Sequence, residues 1–192
     1  MNTTENPVVL VDMDGVLANF EKACLLAWQS KYPDLPFIPL EERVTHDIKV
    51  QYNTLGEGLG AKMREIIHSE GFYASMEPIE GAVEVMKLML QCKWNVFICT
   101  AQARNTRCIA EKAEWINQHL GPEWSERLIA TRDKTLVRGD VLIDDKPHII
   151  GLYEPQFVHI LYDQPYNRSE TRQRMTWANW VEILVPLLCT ES

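Results

Sequence analysis

The apolar run from Val8 to Val11 leads straight into Asp12, Met13, Asp14 and Gly15, and the run from Val141 to Ile143 leads into Asp144 and Asp145. Runs like these read as strands buried on both faces. Each delivers two carboxylates to its end, and in a parallel sheet ligands bind outside the carboxyl ends of the strands. Four aspartates gathered there would repel one another unless a hard cation lay among them. Mg²⁺ suits the set, because it takes one or two carboxylates, keeps waters and binds substrate phosphate. The implied chemistry is a metal and a phosphate sharing one site.

Other readings stand beside this one. A lone DMDG is equally a strand followed by an Asx turn. With Gly15 at position six of an EF-hand loop, Asp12, Asp14 and Glu21 fall at positions three, five and twelve. The first position is then Leu10, and a strand stands where the entering helix should be. Thr100 ends "VFICT" and offers a hydroxyl and nearby N–H groups where a helix starts, which suits phosphate oxygens or a simple helix cap. Lys134, in "TRDKT", is on its own an ordinary surface lysine. The specific feature is the ordered set of Asp pair, Thr, Lys and Asp pair.

The elements that must position these residues alternate. Strand-like runs cover Val8 to Val11, Trp94 to Cys99, Val141 to Ile143 and Val158 to Tyr162, with a short run "LIA" before "TRDKT" and helical patterns in between. This predicts an α/β fold with a Rossmann-like parallel sheet. Helices are expected at "AVEVMKLMLQ", from about Thr106 to Leu120, and over "WANWVEILVPLL", where Pro186 is a point of ending or kinking. More than 80 residues separate the first two strands, far more than one crossover helix needs. The excess is read as an inserted helical subdomain over 19–77, with helices from Phe20 to Lys31 and around Gly60 to Ser69, and a core made of 1–18 and 78–192.

Composition narrows the partners. A chain of 192 residues has room for one core with an insertion, and a net charge of -8 disfavours polymeric nucleic acid. The five cysteines form no CxxC pair, which fits reduced thiols in the cytoplasm. The histidines lack zinc spacing, and no apolar run approaches about 18 residues, so no membrane partner is expected. Homodimer formation is left open.

"DMDGVLANF", "PFIPLEER", "EPIEGAVEVMK", "VFICT", "TRDKTLV", "LIDDKP" and "TWANW" together resemble the haloacid dehalogenase superfamily and, within it, the 5'(3')-deoxyribonucleotidases. The resemblance spans about residues 8 to 182. It implies a core of haloacid dehalogenase type under a small helical cap, and a Mg²⁺-dependent phosphatase acting on nucleoside monophosphates. By the same resemblance Asp12 is the nucleophile, and Asp14 protonates the leaving oxygen and later activates water. The metal is held by Asp12, the backbone carbonyl of Asp14 and Asp144, with Asp145 close by. Lys134 neutralises the phosphoryl group, Thr100 binds a phosphate oxygen and Arg132 supports the site.

The departures from the family are Ala101, where a Ser is usual, and Arg104, where a Lys is usual and where phosphate could still be met. The nucleoside pocket implied by the match is drawn from Phe20, Asp47, Ile48 and Tyr73. For Phe20 and Tyr73, plain core packing is an equal reading. Asp47 stands where vertebrate members stack a ring, which implies a base preference unlike theirs. A phosphatase for another small phosphate ester is the alternative, and an idle binding module is disfavoured by the presence of both Asp12 and Asp14.

Overall fold

The computed structural model describes residues 6–102 and 107–189. Six strands form one all-parallel sheet: β1 (Val8–Val11), β2 (Asn95–Thr100), β3 (Leu128–Ala130), β4 (Val141–Asp144), β5 (Val158–Tyr162) and β6 (Arg174–Met175). Their spatial order is β3-β2-β1-β4-β5-β6. The chain builds outward from β1 in one direction and then in the other, so a topological switch point lies between β1 and β4.

The sheet is covered on both faces, which explains the unbroken apolar runs. Val9, Val11, Val96, Ile98, Val141 and Ile143 face the larger core, whereas Leu10, Cys99 and Leu142 face a smaller cluster. The register sets the site. Val11 pairs with both Ile98 and Ile143, so Asp12 and Asp144 leave β1 and β4 level with each other, and β2 runs one residue further along the same edge to Thr100.

Helix α1 (Phe20–Lys31) begins where Asn19 accepts a hydrogen bond from the Lys22 N–H. Helix α2 (Ile48–Asn53) is capped in the same way by Asp47 on the Lys49 N–H, and α3 (Leu59–Ile67) follows. Gly60 lets α2 and α3 approach closely, since a Cβ there would collide with the Lys49 carbonyl and Asn53. The rings of Trp28 and Tyr52 meet at 4.6 Å and join α1 to α2. The backbone before α1 and the backbone before α4 (Ala82–Gln91) are paired, with Asn19 N–H donating to the Glu77 carbonyl and Ile79 N–H to the Leu17 carbonyl, both at 2.8 Å.

Helices α4 (Ala82–Gln91), α5 (Arg107–His119) and α6 (Trp180–Leu188) complete the layers. Three expectations change. The last helix starts at Trp180 rather than Trp177 and runs through Pro186 to Leu188. Trp177 instead donates from Nε1 to the Val16 carbonyl at 2.8 Å, holding the loop after β1. Helix α2 and strand β6 were not anticipated.

Candidate active site

Gly15, at φ +77°, turns the chain just after Asp14. A Cβ there would lie 3.0 Å from both the Asp145 carboxylate and the Tyr166 hydroxyl, so the glycine permits a turn that a side chain would strain and crowd. Asp12, Asp144 and Asp145 each present an oxygen within 4.8 Å of the others. Lys134 is carried in by a short 3-10 turn over Lys134–Leu136. Its ammonium stands 2.8 Å from Asp12 Oδ1 and 2.5 Å from Asp144 Oδ2. Burial alone would push this ammonium pKa down, but the two carboxylates override burial and hold it up.

Burial, reinforced by Asp12, lifts the Asp144 carboxyl to about 6. Burial and the charges of Asp144 and Asp12 push Asp145 well above the usual range. Tyr166 donates its hydroxyl to Asp145 Oδ2, and His46 Nε2 lies 3.7 Å from the same oxygen. The lobe of the cavity around these groups, about 280 Å³, is lined among the described residues by six carboxylates and four cations. A divalent cation would offset that excess. The all-oxygen donor set fits a hard metal held by Asp12, Asp144 and Asp145.

Asp14 faces a second cation. Lys112, fully buried on α5, donates to Asp14 Oδ2 at 2.8 Å, to Thr100 Oγ1 at 2.7 Å and to the Ala101 carbonyl at 2.9 Å. Burial raises the Asp14 pKa, Lys112 pulls it back and Asp12 pushes it up again. The other oxygen, Asp14 Oδ1, is buried without a hydrogen-bond partner among the described residues.

Most expected residues converge. Asp12, Asp14, Lys134, Asp144, Asp145, Ala101, Arg132, Phe20, Asp47 and Ile48 all line the first lobe. Tyr73 lines an adjoining lobe of about 500 Å³, which shares Phe20, Asp47, Ala101 and Arg132. Thr100 ends β2 fully buried, and its hydroxyl accepts from Lys112. Asp47 Oδ1 caps α2 and pairs with Lys49 Nζ at 3.0 Å. Arg104 lies outside the described residues.

Sequence reasoning missed Lys112, Tyr166 and His46. A signal for the first existed. Cys108, Glu111, Lys112, Trp115 and Ile116 form the buried stripe of α5, and two charges within an apolar stripe mark a buried polar duty. Glu111 shows the same pattern, accepting from the Gly71 and Tyr73 N–H groups. Tyr166 and His46 sit in irregular segments with no periodicity to betray them.

Comparison with known proteins agrees with this geometry. Residues 6–189 match the family model described as "5' nucleotidase, deoxy (Pyrimidine), cytosolic type C protein". The human cytosolic-type 5'(3')-deoxyribonucleotidase is 43% identical over 185 residues, covering 92% of each chain. Among solved structures, a HAD family hydrolase from Deinococcus radiodurans R1 with bound phosphate and sodium superposes with a TM-score of 0.57 at 16% identity, over 98% of this chain and 99% of that one. The magnesium-bound HAD-hydrolase YfnB from Bacillus subtilis gives 0.55 at 12% identity, over 97% and 100%. The fold is therefore that of the HAD hydrolases, and the chain belongs to the 5'(3')-deoxyribonucleotidase family.

Proposed function

We propose that this chain is a Mg²⁺-dependent phosphatase that hydrolyses (deoxy)ribonucleoside monophosphates to nucleoside and phosphate through an aspartyl-phosphate on Asp12. The observation that carries the reading is the Lys134 ammonium held between Asp12 and Asp144, with Asp14 lining the same lobe. Lys134 keeps a cation against the nucleophile and faces the place where phosphoryl charge would develop. Asp12 attacks phosphorus while Asp14, its pKa raised chiefly by burial, gives a proton to the departing nucleoside oxygen. Asp14, now a carboxylate, then takes a proton from the water that cleaves the acyl-phosphate. Mg²⁺ bound by Asp12, Asp144, Asp145 and the Asp14 carbonyl would offset carboxylate charge and hold a phosphate oxygen.

Phe20, Asp47, Ile48 and Tyr73 border the space above and would receive sugar and base. Arg132, exposed on the rim of both lobes, would meet the incoming phosphate. The five cysteines form no disulfide, which supports a cytoplasmic location. Phosphate release from a panel of 5'- and 3'-nucleotides and sugar phosphates, with Mg²⁺, tests the reading. Turnover concentrated in the nucleotides supports it. Faster release from sugar phosphates would replace it with the phosphatase of another small ester.

A further inference from the structure

Helix α5 grips the stretch between α3 and α4 at three points. Arg107, Glu111 and Trp115 lie at i, i+4 and i+8 and so share one face of the helix. Arg107 Nη1 lies 3.4 Å from Glu70 Oε2, and Trp115 Nε1 donates to the Met76 carbonyl at 2.7 Å. Glu111 takes the middle. It is only 7% exposed, and its two oxygens accept separately, Oε1 from the Gly71 N–H at 2.9 Å and Oε2 from the Tyr73 N–H at 3.0 Å. Gly71, at φ +80°, makes the turn in which both N–H groups converge on one carboxylate.

What this grip presents to the cavity is Tyr73. Its ring is nearly buried, lines the second lobe together with Asp14, meets the Phe72 ring edge to face at 5.3 Å and stands 5.2 Å from the Lys112 ammonium. The same ammonium donates to Asp14 at 2.8 Å. Consecutive residues of one helix therefore hold the wall of the lobe and the acid beside it, Glu111 through the backbone of Tyr73 and Lys112 through the Asp14 carboxylate. Only a carboxylate offers two oxygens to two converging donors; an amide offers one oxygen and turns a donor of its own toward the other N–H. We propose that Glu111 is a positioning residue that seats Tyr73 against Lys112 and so fixes the distance between the surface that receives the nucleoside and the acid that protonates its oxygen. The inference rests on the nucleotide-phosphatase reading and adds to it a residue that lines neither lobe.

The test is kcat and KM for the fastest of the four common deoxynucleotides, with Mg²⁺, and the competitive Ki of inorganic phosphate, on the wild type, Glu111→Gln, Tyr73→Leu and the double variant. A displaced wall should raise the Glu111→Gln KM about tenfold. The Ki of inorganic phosphate, which has no nucleoside to meet Tyr73, should stay within about twofold. Partial unfolding alone would lower kcat and leave KM where it was. Because Glu111 acts through Tyr73, adding Glu111→Gln to Tyr73→Leu should change KM by less than about twofold. Glu111→Asp, which keeps both oxygens on a shorter stem, should fall between wild type and Glu111→Gln, and it carries the comparison if the Gln variant does not fold. A KM unchanged in these variants, a Ki that rises in step with KM, or effects that multiply in the double variant would overturn the assignment and leave the nucleotidase reading standing. Hydrolysis of an aryl phosphate but of no nucleotide by the wild type would overturn both.

Discussion

Replacing Lys112 by Met tests whether the buried ammonium beside Asp14 is a structural and functional part of the site. Met fills a similar volume and carries no charge. The substitution removes three donor contacts, to Asp14, Thr100 and the Ala101 carbonyl, from a fully buried position. Breaking a buried ion pair by removing one partner costs about 3–5 kcal/mol. The Asp14 side chain is 28% exposed toward the cavity and can be hydrated or protonated there, which favours the lower end, about 3 kcal/mol. For a chain of this size that is a fall in Tm of about 6–12 °C.

The same variant has a kinetic readout. The Asp14 pKa is raised by burial and pulled back by Lys112. As an acid, Asp14 holds its proton below that pKa and loses it above, so nucleotide kcat/KM should fall as pH rises through it. Without Lys112 the pKa climbs further and the fall moves to higher pH. Thermal unfolding of the wild type, Lys112→Met, Asp14→Asn and the double variant, with pH profiles of the two active forms, gives the coupling directly. A Tm within about 2 °C of wild type, or costs that simply add in the double variant, would refute the reasoning.

Asp14→Asn should cost far more for a nucleotide than for an aryl phosphate, whose leaving group needs no proton; equal losses in kcat/KM would remove Asp14 from the acid role. Asp133 accepts from the Thr135 N–H and hydroxyl and from the Leu152 N–H, and so ties down the turn that carries Lys134. Asp133→Ala should therefore lower kcat and lower stability modestly, measured by phosphate release and denaturant unfolding. Burial pushes the Cys99 thiol up to about 11 and also raises Cys24, whereas Cys92 and Cys189 are exposed. Iodoacetamide at neutral pH should modify Cys92 and Cys189 in the folded protein and spare Cys99, with peptide mass spectrometry as the check.

How much could be read in advance depended on how much chain each feature occupies. The runs Val8 to Val11 and Val158 to Tyr162 and the helix from Phe20 to Lys31 coincide with β1, β5 and α1, because each is long enough to show apolar character or periodicity and is bounded by turn or cap residues. Helix α2 has six residues and β6 only two, too few for any period to emerge, although Asp47 was an available cap signal. Within the site, Asp12, Asp14, Asp144 and Asp145 stood out because they follow strand ends that the register of β1 and β4 brings to one edge, and Lys134 comes in on the turn after β3. The partner of Thr100 was hidden for a related reason. The residue's place at the end of β2 was right, but α5 sends Lys112 to its hydroxyl, a long-range contact that no local pattern records. Tyr166 reaches Asp145 from a short turn after β5 for the same kind of reason.

The claim that Asp12 carries the phosphoryl group is open to direct measurement. Acid quench of the enzyme during turnover of a radiolabelled deoxyribonucleoside monophosphate with Mg²⁺, followed by digestion, locates any covalent phosphate. The expected result is label on the peptide containing Asp12, absent in Asp12→Asn and in excess chelator, and accumulating in Asp14→Asn when an aryl phosphate is the donor, because water activation is then slowed. Full turnover with no label on that peptide, or turnover by Asp12→Asn within about tenfold of wild type, would contradict the mechanism.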